Sequence, residues 1–351
     1  MSEDWYTQAV KTIDKNVQQQ AEARQGELTK PPGSLGRLET LATRLAGMQG
    51  KVQPQLEKIR IVVFAADHGV VAEGVSAFPQ VVTTEMIKNF ARGGAAISVL
   101  AEQLGAELEV VDVGSANPPG ELPGVISERI AAGTANFSRQ PAMTEEQCQR
   151  ALASGRAAVQ RALEAGTQLL IGGEMGIANT TSAAALAAVW LNCPAVELAG
   201  PGTGLDAAGV THKAKVIEAA IKKHRGRVAG SFEVLCNFGG FEIAALCGAY
   251  LAAAQAGLPV LVDGFISSVA VLAACRFNPD VHNWCFFAHN SAEPGHARVL
   301  QALRAEPLVD LGMRLGEGSG AAVAAGILRN ACALHARMAT FSEAGVSTGE
   351  A

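Results

Sequence analysis

Aromatic side chains make up only 5% of this 351-residue chain and charged ones 17%, and the formal net charge is −5. Such a balance leaves no footprint for nucleic acid or for an anionic membrane surface. An anionic substrate must therefore be attracted by local groups. No C-x-x-C pair occurs among the seven cysteines, Cys148, Cys193, Cys236, Cys247, Cys275, Cys285 and Cys332. They read as small buried hydrophobes of a reducing compartment. The first residues, Met1 to Trp5, are polar and acidic, where a secretory leader is basic and then apolar. Cytoplasm is the expected location. A G-x-x-x-x-G-K-Ser/Thr loop is missing, which argues against a P-loop nucleoside triphosphatase, and the one G-x-S-x-G string, Gly345-Val346-Ser347-Thr348-Gly349, follows no apolar strand run, so without a nucleophile elbow a serine hydrolase has little support. Internal repeats, charge blocks and low-complexity linkers are also lacking. One run, Ile243 to Val262, carries no charge and is long enough to cross a bilayer. Gly257-Leu258-Pro259 interrupts it, so a buried helix, a turn and a buried strand explain it better. No membrane span is expected.

What the chain has in abundance is alanine, glycine and short apolar runs. Ile59 to Ala66 ends in Asp67-His68-Gly69, Leu108 to Val111 in Asp112-Val113-Gly114, and Leu169 to Ile171 in Gly172-Gly173. Val260 to Val262 leads into Asp263-Gly264, and Trp284 to Ala288 into His289-Asn290-Ser291. Helix-length segments separate them. Continuous apolar strands alternating with helices predict an α/β fold: a Rossmann-like parallel sheet covered on both faces. Ligands of such sheets bind beyond the carboxyl ends of the strands, so these Asp, Gly, His and Ser endings are the expected rim of a site. The first fifty or so residues contain no strand pattern, and those from about Gly318 onward are again helical. Residues 1–50 and about 321–351 are expected to form a small helical domain, beside a catalytic α/β domain over about 51–320.

The first candidate for chemistry is Glu317, a lone carboxylate in Met313-Arg314-Leu315-Gly316-Glu317-Gly318-Ser319-Gly320. Flanking glycines allow positive φ and close approach of a substrate. The helix behind them offers unpaired N–H groups to anionic oxygen. Gly316-x-Gly318-x-x-Ala321 also matches a loose dinucleotide fingerprint, but a carboxylate at its second position repels a pyrophosphate, and the next acidic residue is Glu343. A plainer alternative stays open, in which Glu317 serves only the first turn of a helix.

Two further glycine-rich segments precede helices. Gly172-Gly173-Glu174-Met175-Gly176-Ile177-Ala178-Asn179-Thr180-Thr181-Ser182 places hydroxyls at a helix start, where they suit a phosphate. Asn, Thr and Ser are equally the ordinary N-cap residues, and on this segment alone capping is preferred. Gly200-Pro201-Gly202-Thr203-Gly204 precedes a helix over Val210 to Lys223, and Lys213 lies on its apolar stripe. That lysine either binds an anion or merely snorkels. Asp67, His68, Asp112 and Asp263 form a rival constellation, a divalent-metal site of a phosphohydrolase. Asx turns are the simpler account of at least three of them.

Taken in order, Lys30 to Glu39, Ala66 to Val70, Gly172 to Thr181, Leu261 to Phe265 and Met313 to Gly320 closely resemble the CobT-type nicotinate-nucleotide:dimethylbenzimidazole phosphoribosyltransferase family, over nearly the whole chain. The resemblance implies phosphoribosyl transfer from nicotinate mononucleotide to 5,6-dimethylbenzimidazole, giving α-ribazole 5′-phosphate and nicotinate, by a homodimer with no metal or cofactor. It implies that Glu317 is the general base, with Glu174 near the same site. By the same similarity Gly176, Asn179, Thr180, Gly202, Lys213 and Ser291 contact the nucleotide and its phosphate, while Phe78, Met86, Met175 and Leu315 form the pocket for the flat base. In one departure, Pro201 stands where many relatives have arginine. A second reading, a nucleotide-binding or sensor protein without turnover, uses the same fold.

Overall fold

Strands with mostly apolar side chains on both sides need cover on both faces, and six segments, all but the edge strand largely buried, pair side by side in the computed structural model, which describes residues 5–226 and 228–347. They are β1 (Ile59–Ala66), β2 (Glu107–Gly114), β3 (Val125–Ser127), β4 (Leu169–Met175), β5 (Val260–Val262) and β6 (Cys285–Phe287). Their order in the sheet is β3-β2-β1-β4-β5-β6, with every pair parallel. This is the order of a doubly wound nucleotide-binding sheet, and its winding reverses between β1 and β4. The short edge strand β3 was not foreseen. Its half-exposed Val-Ile-Ser gives too brief a run for a periodicity argument.

The uncharged segment resolves as expected, into the helix Phe241–Ala256, a turn at Gly257 with φ 80°, and β5. That helix packs on β1, β2 and β4 and lies against the helix Glu145–Glu164. The latter starts with a capping box, in which Thr144 and Gln147 satisfy each other's backbone N–H. Gly155 and Gly248 let the two helices touch backbone to backbone, since a Cβ on Gly155 would lie 2.5 Å from the Ala249 nitrogen. Among the described residues no helix is long and apolar enough to cross a membrane.

Two consecutive glycines in β4 serve opposite faces, because successive strand residues point to opposite sides of a sheet. A Cβ on Gly172 would come within 2.5 Å of Tyr250 Oη on the helix Phe241–Ala256, and one on Gly173 within 2.5 Å of the Glu317 carbonyl carbon. The segment carrying Glu317 therefore crosses directly over the sheet.

The terminal segments meet. Helices Lys15–Glu27 and Arg37–Gln49 pack together, and the second also packs on the helix Ser319–Arg337. Arg24 donates to the carbonyls of His335 and Ala336 at 3.0 and 3.2 Å, and Leu28 bridges Thr340 in antiparallel sense. Helix Ser319–Arg337 in turn contacts β4 and β5, so its apolar residues join the same core as the strands. The outermost parts of the expected helical domain, 1–4 and 348–351, lie outside the described residues, as does most of the polar stretch from Met1 to Trp5.

Gly155→Val is expected to destabilise the protein by roughly 1–3 kcal/mol, as overpacking does, seen as a lower urea midpoint with an unchanged slope. A wild-type midpoint would contradict the backbone contact between the two helices.

Candidate active site

The loop after β4 does not behave as an ordinary capped helix start. The helix Asn179–Leu191 has Ala178 at its N-cap, in the left-handed region at φ 75°, and no side chain caps it. The capping expectation for Asn179, Thr180 and Ser182 is thereby overturned. Asn179 instead donates to Glu174 Oε2, Thr180 Oγ1 accepts from Lys213 Nζ at 3.1 Å, and Ser182 donates to the Phe238 carbonyl. These partners outcompete the side-chain cap, and the Asn179 and Thr181 N–H groups turn back to the carbonyls of Gly176 and Ala178 at 3.1 and 3.0 Å.

Lys213 is almost fully buried, on the helix Ala207–His224. Its ammonium reaches the Gly200 carbonyl at 3.0 Å as well as Thr180, and burial pulls its pKa down to about 8 against the opposing pull of Glu293. Glu293 in turn accepts from the Gly202 N–H at 3.0 Å. Gly202, at φ 53°, is needed here because a Cβ would come 2.7 Å from Thr180 Oγ1 and 3.3 Å from Lys213 Nζ. Snorkelling is ruled out, since the charged end is buried with its stem. A cation still reaches the loop despite Pro201: Arg314 Nη1 donates to the Gly202 carbonyl at 2.8 Å.

The segment carrying Glu317 has an unusual backbone. Gly316, Glu317 and Gly318 lie at φ 91°, 64° and 87°, so three consecutive residues are left-handed and the middle one has a side chain. A non-glycine residue held there costs roughly 1–2 kcal/mol. Asp263, at the end of β5, holds the segment in place, accepting from the Gly318 N–H at 3.2 Å and the Ala321 N–H at 2.8 Å. These are the first N–H groups of the helix Ser319–Arg337, so Asp263 caps that helix from another strand. Glu317 therefore precedes the helix and does not serve its first turn. Its carboxyl is bonded by the N–H of Ile97, in the helix Ala96–Leu104, while burial and the nearby Asp263 push its pKa up to about 7. Its Oε2 has no hydrogen-bond partner among the described residues.

These segments enclose a cavity of about 530 Å³ over the carboxyl ends of β4, β5 and β6. It is displaced from the β1/β4 reversal toward one half of the sheet. Glu317, Glu174, Gly176, Asn179, Thr180, Gly202 and Ser291 all line it, as do Phe78, Met175 and Leu315. Two of the sequence candidates do not. Lys213 stands behind the Gly202 loop, and Met86, on the helix Val81–Ala91, is half-buried against the core. Phe78 and Leu315 are exposed at the mouth, at 48% and 59% of their surface. Glu174 is buried, and its pKa is raised by that burial, with Glu242, Asp263 and Glu317 adding to the effect.

Sequence reasoning placed His289 at the rim and missed Glu293 and Arg314 on the cavity wall. His289 followed a recognised strand end, but its partner Asp263, 3.7 Å away across β5 and β6, is remote in sequence. The rival metal constellation is dispersed. Asp67 bonds Thr83 Oγ1 and the Ala116 N–H, both at 2.7 Å, Asp112 closes an Asx turn on the Gly114 and Ser115 N–H groups, and His68 pairs with Glu242 at 2.6 Å. Among the described residues no three His, Cys, Asp or Glu side chains are grouped to hold a metal.

Fold and site together define a doubly wound α/β protein with a cavity of about 530 Å³ between the start of the helix Asn179–Leu191 and an ionisable carboxylate. Comparison with known proteins sharpens this. The family model described as Phosphoribosyltransferase (DBI_PRT) matches residues 10–346. Nicotinate-nucleotide–dimethylbenzimidazole phosphoribosyltransferases of Pseudomonas putida strain KT2440 and Pseudomonas aeruginosa strain PAO1 are each 60% identical over 347 residues, covering 99% of both chains. A crystal structure described as this phosphoribosyltransferase from Thermus thermophilus superposes with a TM-score of 0.90 at 45% identity, covering 96% of this chain and 100% of the other. Another, described as CobT from the same organism, gives 0.91 at 46% identity, covering 95% and 100%. The chain belongs to the nicotinate-nucleotide–dimethylbenzimidazole phosphoribosyltransferase family.

The raised pKa of Glu317 has a consequence for stability. The folded state resists ionising this group, so the penalty is absent below about pH 4.5, grows as pH rises, and is complete above about 7. A shift of this size corresponds to roughly 3 kcal/mol. Glu317→Gln is expected to raise the unfolding free energy by up to about that amount at pH 8 and to change it little at pH 4, in urea titrations at the two pH values. Equal effects at both would contradict the raised pKa.

Proposed function

We propose that this chain transfers the phosphoribosyl group of nicotinate mononucleotide to 5,6-dimethylbenzimidazole or a related base, giving α-ribazole 5′-phosphate and nicotinate for the nucleotide loop of cobalamin. The observation that carries the reading is a buried carboxyl group, Glu317, whose pKa burial raises to about 7, on the wall of a cavity that also takes in Gly176, Thr180 and Gly202 at the start of the helix Asn179–Leu191. The names of the 60%-identical relatives support the substrates.

In this mechanism the 5′-phosphate lies at the start of the helix Asn179–Leu191, against Gly176, Thr180 and Gly202, with Lys213 behind and Ser291 nearby. The arriving charge favours the ammonium form of Lys213. Met175, Leu315 and Phe78 flank the flat base. Ionised Glu317 takes the azole proton while the other ring nitrogen attacks ribose C1′ from the face opposite the leaving group. As the new N–C1′ bond forms, the bond from C1′ to the pyridinium nitrogen breaks. Its electron pair stays on that nitrogen, so nicotinate leaves with an uncharged ring nitrogen. The proton rests on Glu317 until solvent removes it. Glu174, held by Asn179 and pushed toward its neutral form by burial, acts as a secondary candidate for proton handling. For Met86, half-buried away from the cavity, a role in the base pocket requires movement of the helix Val81–Ala91.

The same reading includes a helical unit of residues 1–50 and about 321–351 beside a catalytic unit of 51–320, a homodimer, and a cytoplasmic location. The contacts of Arg24 with the last turn of the helix Ser319–Arg337 support the first. Exposed Phe78 and Leu315 at the cavity mouth support a partner or substrate that covers them. Seven cysteines without a disulfide agree with a reducing compartment. Incubation with nicotinate mononucleotide and a panel of benzimidazoles, purines and phenols, with riboside products identified by mass, tests the activity. Tight binding without any riboside would instead favour the sensor reading, and loss of activity with a strong chelator the metal-dependent one.

For the enzyme, kcat/KM is expected to rise with pH and level off above about 7, because only the ionised carboxylate accepts the proton. Glu317→Gln should retain nicotinate mononucleotide binding and lose about 10²–10⁴ in kcat. Wild-type-like rates in that variant would remove Glu317 as the base.

A further inference from the structure

A second cavity, of about 260 Å³, lies between the helix Arg37–Gln49 and the edge strand β6, with Arg37, Arg44, Arg304 and His282 on its walls. None of these three guanidinium groups is in an ion pair with a carboxylate among the described residues. We propose that this cavity is a binding site for a small oxyanion of the phosphate type, separate from the Glu317 cavity.

The argument starts from unbalanced charge. Surface arginines are ordinarily solvated or paired, whereas Arg44 is half-buried with its guanidinium stacked over the Phe286 ring, 4.6 Å from the centroid. It spends one nitrogen on the Cys285 carbonyl at 3.1 Å. Burial lowers its pKa against a smaller opposing effect of Cys285, and no carboxylate pairs with it among the described residues. Arg37, two turns earlier on the same helix, is fixed by donating to the carbonyls of Pro307 and Glu306 at 2.8 and 2.9 Å. Arg304 ends the helix Gly295–Leu303 in the left-handed region at φ 50°, a conformation that a non-glycine residue adopts at some cost. Two planar forks held by backbone contacts and stacking, with the Arg304 guanidinium free to close over them, suit bidentate recognition of a tetrahedral oxyanion.

A second observation is independent of the arginines. His282 Nε2 is buried and has no hydrogen-bond partner among the described residues, and repulsion by Arg44 adds to burial in lowering the ring's pKa. An oxyanion seated between the guanidinium groups removes that repulsion. It then either donates its own O–H to Nε2, as protonated phosphate does, or draws a proton onto the ring. Glu306 is the one carboxylate on the cavity wall, and Arg37 grips its backbone carbonyl.

This assignment also gives a use to the Lys30 to Glu39 segment, which the catalytic reading leaves unexplained. Lys30 and Glu39 form an ion pair at 2.9 Å, and Glu39 also accepts from the Leu35 N–H at 3.0 Å. The closed loop delivers Arg37 to the cavity. Beyond it, Leu308 and Val309 bond the carbonyl of Ala288 just past β6, and the Ala292 N–H bonds the Met313 carbonyl. The cavity wall is thus continuous in sequence with the segment carrying Glu317.

Equilibrium dialysis with radiolabelled inorganic phosphate at constant ionic strength tests the proposal, using wild type, Arg44→Gln and Arg304→Asn. Arg304 makes no hydrogen bond that folding needs, and asparagine tolerates its backbone conformation. Loss of a charge-assisted contact is expected to weaken this phosphate site about tenfold in each variant. A Lys213→Met protein, altered in the other cavity, should retain it. The proposal is overturned if wild type shows no saturable site that survives Lys213→Met, or if both arginine variants bind phosphate as wild type does.

Discussion

The crossing of the Glu317 backbone over Gly173 is the contact on which the site depends. At that point a sheet strand and an active loop come closer than any side chain permits, and the interaction works only because β4 has a glycine on one face. Gly172 solves the same problem on the other face, where Tyr250 and Leu246 press against the strand. The sheet is thereby thinned at its centre, and the loop lies directly on the strand that ends in Glu174. A Cβ on Gly316 would likewise meet the Glu174 carboxyl. Two acidic residues far apart in sequence are placed in one cavity by backbone contact alone.

Electrostatics then separates their tasks. Both carboxyl groups are buried, and burial in each case is the largest cause of a raised pKa. Glu317 receives one compensating N–H, from Ile97, and stays near neutrality. Glu174 faces the added repulsion of Glu242 and Asp263 and is pushed well above the usual range. Asp263 is balanced differently. It spends its oxygens on the two backbone N–H groups that fix the loop, with His289 nearby opposing the rise in its own pKa. One acid is therefore structural, one is poised to titrate, and one is biased toward its neutral form.

Much of this was legible in the sequence because its signals were local. Five of the six strands announced themselves as apolar runs with small or acidic endings, and the glycine frame around Glu317 pointed to the positive φ that the segment adopts. The family's ordered motifs brought ten of the twelve site candidates to one cavity wall. What stayed hidden depends on partners remote along the chain. Asp263 looked like an Asx turn, and only the approach of Gly318 and Ala321 makes it a helix cap. Asn179 and Thr180 looked like caps, and Glu174 and Lys213 draw their side chains away. Arg314 carried no sign that it would meet Gly202, more than a hundred residues earlier.

The left-handed conformation at Glu317 also bears on how this position responds to selection. Glycine or asparagine would relax the backbone there, and either would remove a buried acid. Replacements that a screen for thermal tolerance would reward most at this residue are thus the ones that discard its chemistry. A glutamate in that conformation combines a strained backbone with a buried carboxyl oxygen that lacks a partner among the described residues, so stabilising changes that leave the proposed base in place belong elsewhere in the chain.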